Sequence, residues 1–171
     1  MEHIIASSIM KHGRDKKILY PLQHGFLDKR SCETQLLEFK TDIIKNLEDG
    51  SQTDVLIIEF SKAFDKVSHE HLIKKMQHYG VQGRTLTWIR EFQQDRTQYV
   101  QPEGERSDEV AVNSVVPQGS VLRPPLFLYY INDNANNLKS TVRLFADDTM
   151  AAYLAVNSDE DAEKLQEDLL K

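Results

Sequence analysis

The chain has 171 residues, 40% hydrophobic and 28% charged, and a formal net charge of −6. This composition reads as a soluble globular protein with a real core and excludes a disordered chain. The acidic balance argues against indiscriminate nucleic-acid affinity, which rests on Lys and Arg, and the apolar runs fall far short of the about 18 residues a membrane span needs.

The acid is uneven: residues 158–171 hold Asp159, Glu160, Asp161, Glu163, Glu167 and Asp168 against Lys164 and Lys171, leaving the remainder near neutral. Met1-Glu2-His3-Ile4-Ile5 has neither a basic start nor a small-residue cleavage site, so no signal peptide and an intracellular location are expected. Cys32 is the single cysteine, which excludes an internal disulfide and fits a reducing compartment.

In chain order, residues 3–12 carry Ile4, Ile5 and Ile9 at helical spacing, and Gly13 is expected to end that helix. A second helix is expected after Ser31 and up to Leu47, with Leu36, Leu37, Phe39, Ile43, Ile44 and Leu47 as its apolar face and Glu48-Asp49-Gly50 as its stop. Val55-Leu56-Ile57-Ile58 reads as a central buried strand with Glu59 at its end. Ser68 is a good N-cap for a helix through Leu72, Ile73, Met76 and Tyr79, stopped by Gly80.

Another helix carries Leu86, Trp88, Ile89 and Phe92. Residues 98–101 and 110–116 read as a hairpin whose polar loop holds Gly104. Residues 121–131 suit a buried helix that Pro124-Pro125 must interrupt or start. Strands at 141–145 and 150–156 flank Asp147-Asp148, and Ser158 caps a last helix with Leu165, Leu169 and Leu170 on one face. Two hairpins among these helices indicate an α+β fold, an antiparallel sheet with helices on one face.

Three segments carry chemistry. Two-metal phosphoryl transfer needs carboxylates from separate segments converging on cations about 4 Å apart. Glu59, ending a strand, and Asp147-Asp148, at a strand-to-strand turn, suit that requirement; taken alone, the acidic pair also reads as a solvated turn. Pro117-Gln118-Gly119-Ser120 combines a fixed approach, an amide with donors and acceptors, and a backbone free to pass close to a ligand. It reads equally as a strand-to-helix turn with Ser120 as N-cap. Phe64, five residues after Glu59, is either a core ring or a ring beside a nucleotide sugar, where it would exclude a 2′-hydroxyl by contact.

Gln23-His24-Gly25-Phe26, residues 30–37, residues 60–67, residues 117–122, Tyr130-Ile131-Asn132-Asp133 and residues 144–149, in this order, resemble the reverse transcriptase domain of non-long-terminal-repeat (LINE-like) retrotransposons across almost the whole chain. The resemblance implies a partial right-hand polymerase fold, with residues 1–50 as the end of the fingers, 51–156 as most of the palm and 157–171 as an acidic helix. It implies Mg²⁺ held by Glu59, Asp147, Asp148 and the Phe60 carbonyl, with Phe64 at the sugar-discriminating position and Gln118 and Gly119 facing nucleotide and template. The implied substrates are an RNA template, a DNA primer and deoxynucleoside triphosphates, with no membrane partner.

The family pattern has Asp where this chain has Glu59. One added methylene moves the carboxylate by about 1.5 Å, whereas catalytic constellations tolerate roughly 0.5 Å, so strongly impaired catalysis is expected. Arg123 replaces a glycine, Pro125 an apolar helix former, and Leu27 a basic residue. The chain begins within the fingers and stops 23 residues after Asp148, so thumb, endonuclease and basic template grip are expected to be missing and primer–template binding weak. The reading is a retrotransposon-derived RNA-directed DNA polymerase fragment with activity lost; the alternative is a non-enzymatic remnant that binds nucleic acid or protein.

Overall fold

The computed structural model describes residues 1–112, 114, 119–146 and 149–170. Its elements are α1 (Glu2–Asp15), α2 (Cys32–Glu48), β1 (Gln52–Ile58), a 3-10 turn (Phe64–Lys66), α3 (His69–His78), α4 (Gly83–Gln93), β2 (Thr97–Gln98), β3 (Val110–Ala111), α5 (Arg123–Ile131), β4 (Thr141–Phe145), β5 (Thr149–Val156) and α6 (Asp159–Leu169). They fall into two interleaved compact units, one from Met1–Ile18 with Lys62–Ile131, the other from Leu19–Ser61 with Asn132–Lys171.

The first unit is helical. Gly13 does not end α1; the helix continues to Asp15, Lys17 takes the left-handed conformation (φ 52°), and the Ile18 N–H closes onto the Gly13 carbonyl at 2.9 Å. A helix ends where a residue turns left-handed, and here that residue is a lysine rather than the first glycine. In α3 the Ser68 hydroxyl accepts the His71 N–H at 3.4 Å, and Gly80 (φ 83°) closes the other end with Val81 N–H on the Met76 carbonyl. Helix α3 packs on α4 and α5, and α1 packs on α5. Leu72, Met76, Ile89, Leu122, Leu126, Phe127, Leu128 and Tyr129 are buried.

Pro124 and Pro125 lie in the first turn of α5, where amide N–H groups have no intrahelical acceptor, so the prolines start the helix at no hydrogen-bond cost. The Tyr129 hydroxyl donates to the Ile9 carbonyl at 2.8 Å, and burial pushes its pKa up to about 12. Among the described residues the expected hairpin pairs Thr97–Gln98 with Val110–Ala111; residues 113, 115 and 116 of its expected second strand lie outside the described residues.

The second unit is a three-stranded antiparallel sheet in the order β1-β5-β4. β1 is therefore an edge strand, not the expected central one, and Val55 and Ile57 are exposed. An apolar run does not distinguish edge from centre; β5, lying between both partners, takes the central place. Alternation along β4 turns Val142 and Leu144 to one face, where Ala135, Leu56, Tyr20, Leu138 and the α6 residue Leu165 pack on them.

Arg143 points to the other face, toward α2. Helices thus cover both faces of this sheet rather than one. Ser31 caps α2 with a reciprocal capping box, and Gly50 (φ 77°) stops it as expected. Of the expected apolar face of α2, Phe39 and Ile43 turn inward, but Leu36, Leu37, Ile44 and Leu47 are exposed, and Gln35, Asp42 and Asn46 take the inward places instead. Phe39 meets the Tyr153 ring edge-on at 5.1 Å, and Asn46 donates to Thr53 at 3.0 Å. Among the described residues no helix is long and apolar enough to cross a membrane.

Candidate active site

Three strand ends frame the acidic segment. β4 ends at Phe145, paired with Thr149, the first residue of β5. Ile58, the last residue of β1, pairs with Met150. The strand end that leads into Glu59 therefore lies beside the strand start that follows Asp148. Asp147 and Asp148 lie outside the described residues, as does Gln118. Glu59 and Phe60 are exposed, and Glu59 has no hydrogen-bond or ion-pair partner among the described residues.

Phe64 and Gly119 belong to the helical unit. The Phe64 ring lies 4.0 Å from that of Phe127, the packing role that its residue type also allowed. Arg123 stacks its guanidinium 4.6 Å from the Phe64 ring centroid and approaches Asp65 at 3.5 Å. Gly119 has φ 83°, a conformation glycine adopts readily, and a Cβ there would meet nothing within 4 Å. Ser120 does not cap α5, which starts three residues later; its hydroxyl donates to Glu2 at 2.7 Å and accepts the Leu122 N–H at 3.0 Å.

Two sets of contacts hold β4, the strand that ends shortly before the acidic pair, and neither was expected from the residues alone. Residues 22–25 run parallel to β4, with Leu144 N–H on the Leu22 carbonyl at 3.1 Å and His24 N–H on the Leu144 carbonyl at 2.8 Å. The Gln23 side-chain oxygen accepts both the Gly25 N–H (2.8 Å) and the Ala146 N–H (2.9 Å).

The second set is ionic and ties β4 to α2. Arg143 donates to the Tyr153 hydroxyl at 2.8 Å, to Asp42 at 2.6 Å and to Glu38, while Tyr153 donates to Asp42. Burial opposes the Arg143 cation, but its hydrogen bonds to Asp42, Tyr153 and Glu38 outweigh that and raise its pKa. Burial likewise opposes the Glu38 and Asp42 anions, yet the Arg143 hydrogen bonds hold both carboxyls below their ordinary range. Burial and Asp42 push the Tyr153 hydroxyl up to about 12. The sequence signal was a lone arginine inside the apolar run 142–145, matched by two acids one turn apart on α2.

Among the described residues no three His, Cys, Asp or Glu side chains gather as metal ligands. The expected donors, three carboxylates and one main-chain carbonyl, are all hard oxygens. That donor chemistry fits Mg²⁺ rather than a metal that favours thiolate or imidazole.

The family described as Reverse transcriptase (RNA-dependent DNA polymerase) matches residues 1–171. A curated relative, the probable RNA-directed DNA polymerase from transposon BS of Drosophila melanogaster, is 28% identical over 180 aligned residues, 97% of this chain and 19% of the relative. The RNA-directed DNA polymerase from mobile element jockey of the same organism is 25% identical over 157 residues, 87% of this chain and 17% of the relative. This chain thus spans about a fifth of the length of these relatives.

A solved structure of apo telomerase from Candida tropicalis, truncated from its C-terminal domain, matches with a TM-score of 0.64 over 99% of this chain and 36% of that one. At 13% identity this is a likeness of fold alone, and that fold is the polymerase fold the motif order led us to expect. With the family match running its whole length, the chain belongs to the reverse transcriptase (RNA-dependent DNA polymerase) family.

Proposed function

We propose that the chain is the reverse transcriptase domain of a retrotransposon-derived RNA-directed DNA polymerase, with Glu59, Asp147 and Asp148 as its metal-binding carboxylates. The observation that carries this reading is the antiparallel register of β1 on β5, in which Ile58, next to Glu59, pairs with Met150, two residues after Asp148. Residues 1–50 correspond to the end of the fingers and 51–156 to most of the palm. The family is one that uses divalent metal, and Glu59, the Phe60 carbonyl, Asp147 and Asp148 would hold it. Mg²⁺ bound there supplies activation of a primer 3′-hydroxyl and charge stabilisation of the leaving pyrophosphate.

The residues of the chain do the positioning. Glu59 takes its place from a strand end, so its carboxylate depends on strand register rather than on a flexible loop. Phe64 acts at the nucleotide sugar, where its ring excludes a 2′-hydroxyl, and Gln118 and Gly119 face nucleotide and template. The substrates are an RNA template, a DNA primer and deoxynucleoside triphosphates. Turnover is strongly impaired, because the Glu59 methylene displaces one metal ligand and Mg²⁺ demands near-ideal octahedral geometry.

Mg²⁺-dependent primer extension on an RNA template tests both parts. Glu59→Asp is expected to raise incorporation by about 10²-fold, the effect of a ligand misplaced by roughly 1 Å. Equal, rapid extension by the unmodified chain would remove the impairment; extension by neither form would remove the reading of a scaffold competent but for one ligand.

A further inference from the structure

Ala146, the residue before Asp147, lies in the left-handed region (φ 51°), which is disfavoured for alanine. Such a residue persists only where its surroundings over-determine it. Its N–H is held by the Gln23 Oε1 atom at 2.9 Å, and the same oxygen accepts the Gly25 N–H at 2.8 Å. Gln23 is 3% exposed and Ala146 5%, so water does not compete for these bonds.

Gly25 completes the arrangement by its lack of a side chain. A Cβ there would stand 2.8 Å from the Ala146 Cα and closer still to its nitrogen and Cβ. The parallel bridge of Gln23 to Leu144 fixes the amide-bearing segment to β4 itself, so the clamp and the strand it acts on move together.

We propose that Gln23 and Gly25 form a backbone clamp on Ala146, the residue before Asp147, making Gln23 a positioning residue for divalent-cation binding by the acidic pair that follows. This rests on the metal-site reading above, but the clamp has a readout of its own.

The test compares Gln23→Met, which keeps the length and loses the amide acceptor, with Gln23→Glu, which keeps an oxygen at the same reach. The full chain is followed by amide hydrogen exchange at Ala146 and by calorimetric Mg²⁺ titration. Gln23→Met is expected to lose Ala146 protection selectively and to weaken Mg²⁺ binding by about tenfold, the lower end for losing a partner that orients metal ligands. Gln23→Glu is expected to retain both. Should Gln23→Met not fold, Gln23→Asn, one methylene too short, gives the same comparison.

Unchanged Ala146 protection in Gln23→Met overturns the clamp. Protection lost equally at all slowly exchanging amides reduces Gln23 to a structural residue, and lost protection with unchanged Mg²⁺ affinity overturns its role toward the cation. If the unmodified chain takes up no Mg²⁺, the metal-site reading falls with its cation part, and the clamp stands or falls on Ala146 exchange alone.

Discussion

The Arg143 network makes an asymmetric prediction. The Arg143 side chain is 7% exposed, whereas those of Glu38 and Asp42 are 49% and 37% exposed. Neutralising both acids with Glu38→Gln and Asp42→Asn strands a buried guanidinium among neutral acceptors. Breaking a buried pair from that side costs about 3–5 kcal/mol, and because amide oxygens still accept hydrogen bonds we take about 3 kcal/mol.

Arg143→Met has the opposite geometry. It frees two carboxylates that already reach water, each pair being worth about 0.2–1 kcal/mol when exposed. It also removes the bond to the Tyr153 hydroxyl, about 1 kcal/mol. The methionine refills the volume of the arginine stem and adds little of its own, so roughly 1.4–3 kcal/mol is expected in all, centred below the double neutralisation.

Urea unfolding of the full chain at pH 7, followed by far-UV circular dichroism, reads both variants on one scale. The double neutralisation should move the midpoint further than Arg143→Met at unchanged slope. If removing the arginine costs as much as removing both charges from its partners, the guanidinium is not the desolvated member and the reasoning fails.

The same network sets a pH dependence. Glu38 and Asp42 have lowered pKa values in the folded chain, so the unfolded chain binds more protons in acid. Their stabilisation is complete above the ordinary carboxylate range and is lost as pH falls below about 4; melting temperatures from pH 7 to 3 should show that acid limb, flattened in Arg143→Met. Gly25→Ala forces a Cβ into the Ala146 backbone and should destabilise by about 1–3 kcal/mol in chemical denaturation; a neutral result would contradict the close approach. Among the described residues, both polar side-chain atoms of Gln93 are buried without a hydrogen-bond partner, so Gln93→Met should raise the melting temperature through a gain of about 1 kcal/mol. A lower melting temperature would mean that this amide is satisfied in solution.

The elements legible from the residues were those with local causes. Ser31 and Ser68 cap helices through hydrogen bonds to amides three residues on, and Gly50 and Gly80 stop them through their own positive φ. The strands flanking Asp147-Asp148 followed from the apolar runs on either side of that pair. The family followed from the order of several motifs, each modest alone.

Where α2 turns its residues was not legible, because a helical stripe of Leu36, Leu37, Ile44 and Leu47 has the period of a buried face whether or not a partner covers it. The buried face is instead decided partly by Arg143, which reaches Asp42 across 101 residues of sequence. The edge position of β1 had the same cause, since strand order depends on which non-neighbouring segments pair. Asp147, Asp148 and Gln118 stood out as residue types, but the hold on the residue preceding the acids came from Gln23, 123 positions away from Ala146. Sequence alone thus determined the family, the ends of α2 and α3 and the strands flanking the acidic pair, all written within a few residues of themselves. Only tertiary structure decided strand order, the buried side of α2 and the hold on Ala146, because each arises when segments about ninety or more residues apart close on one another.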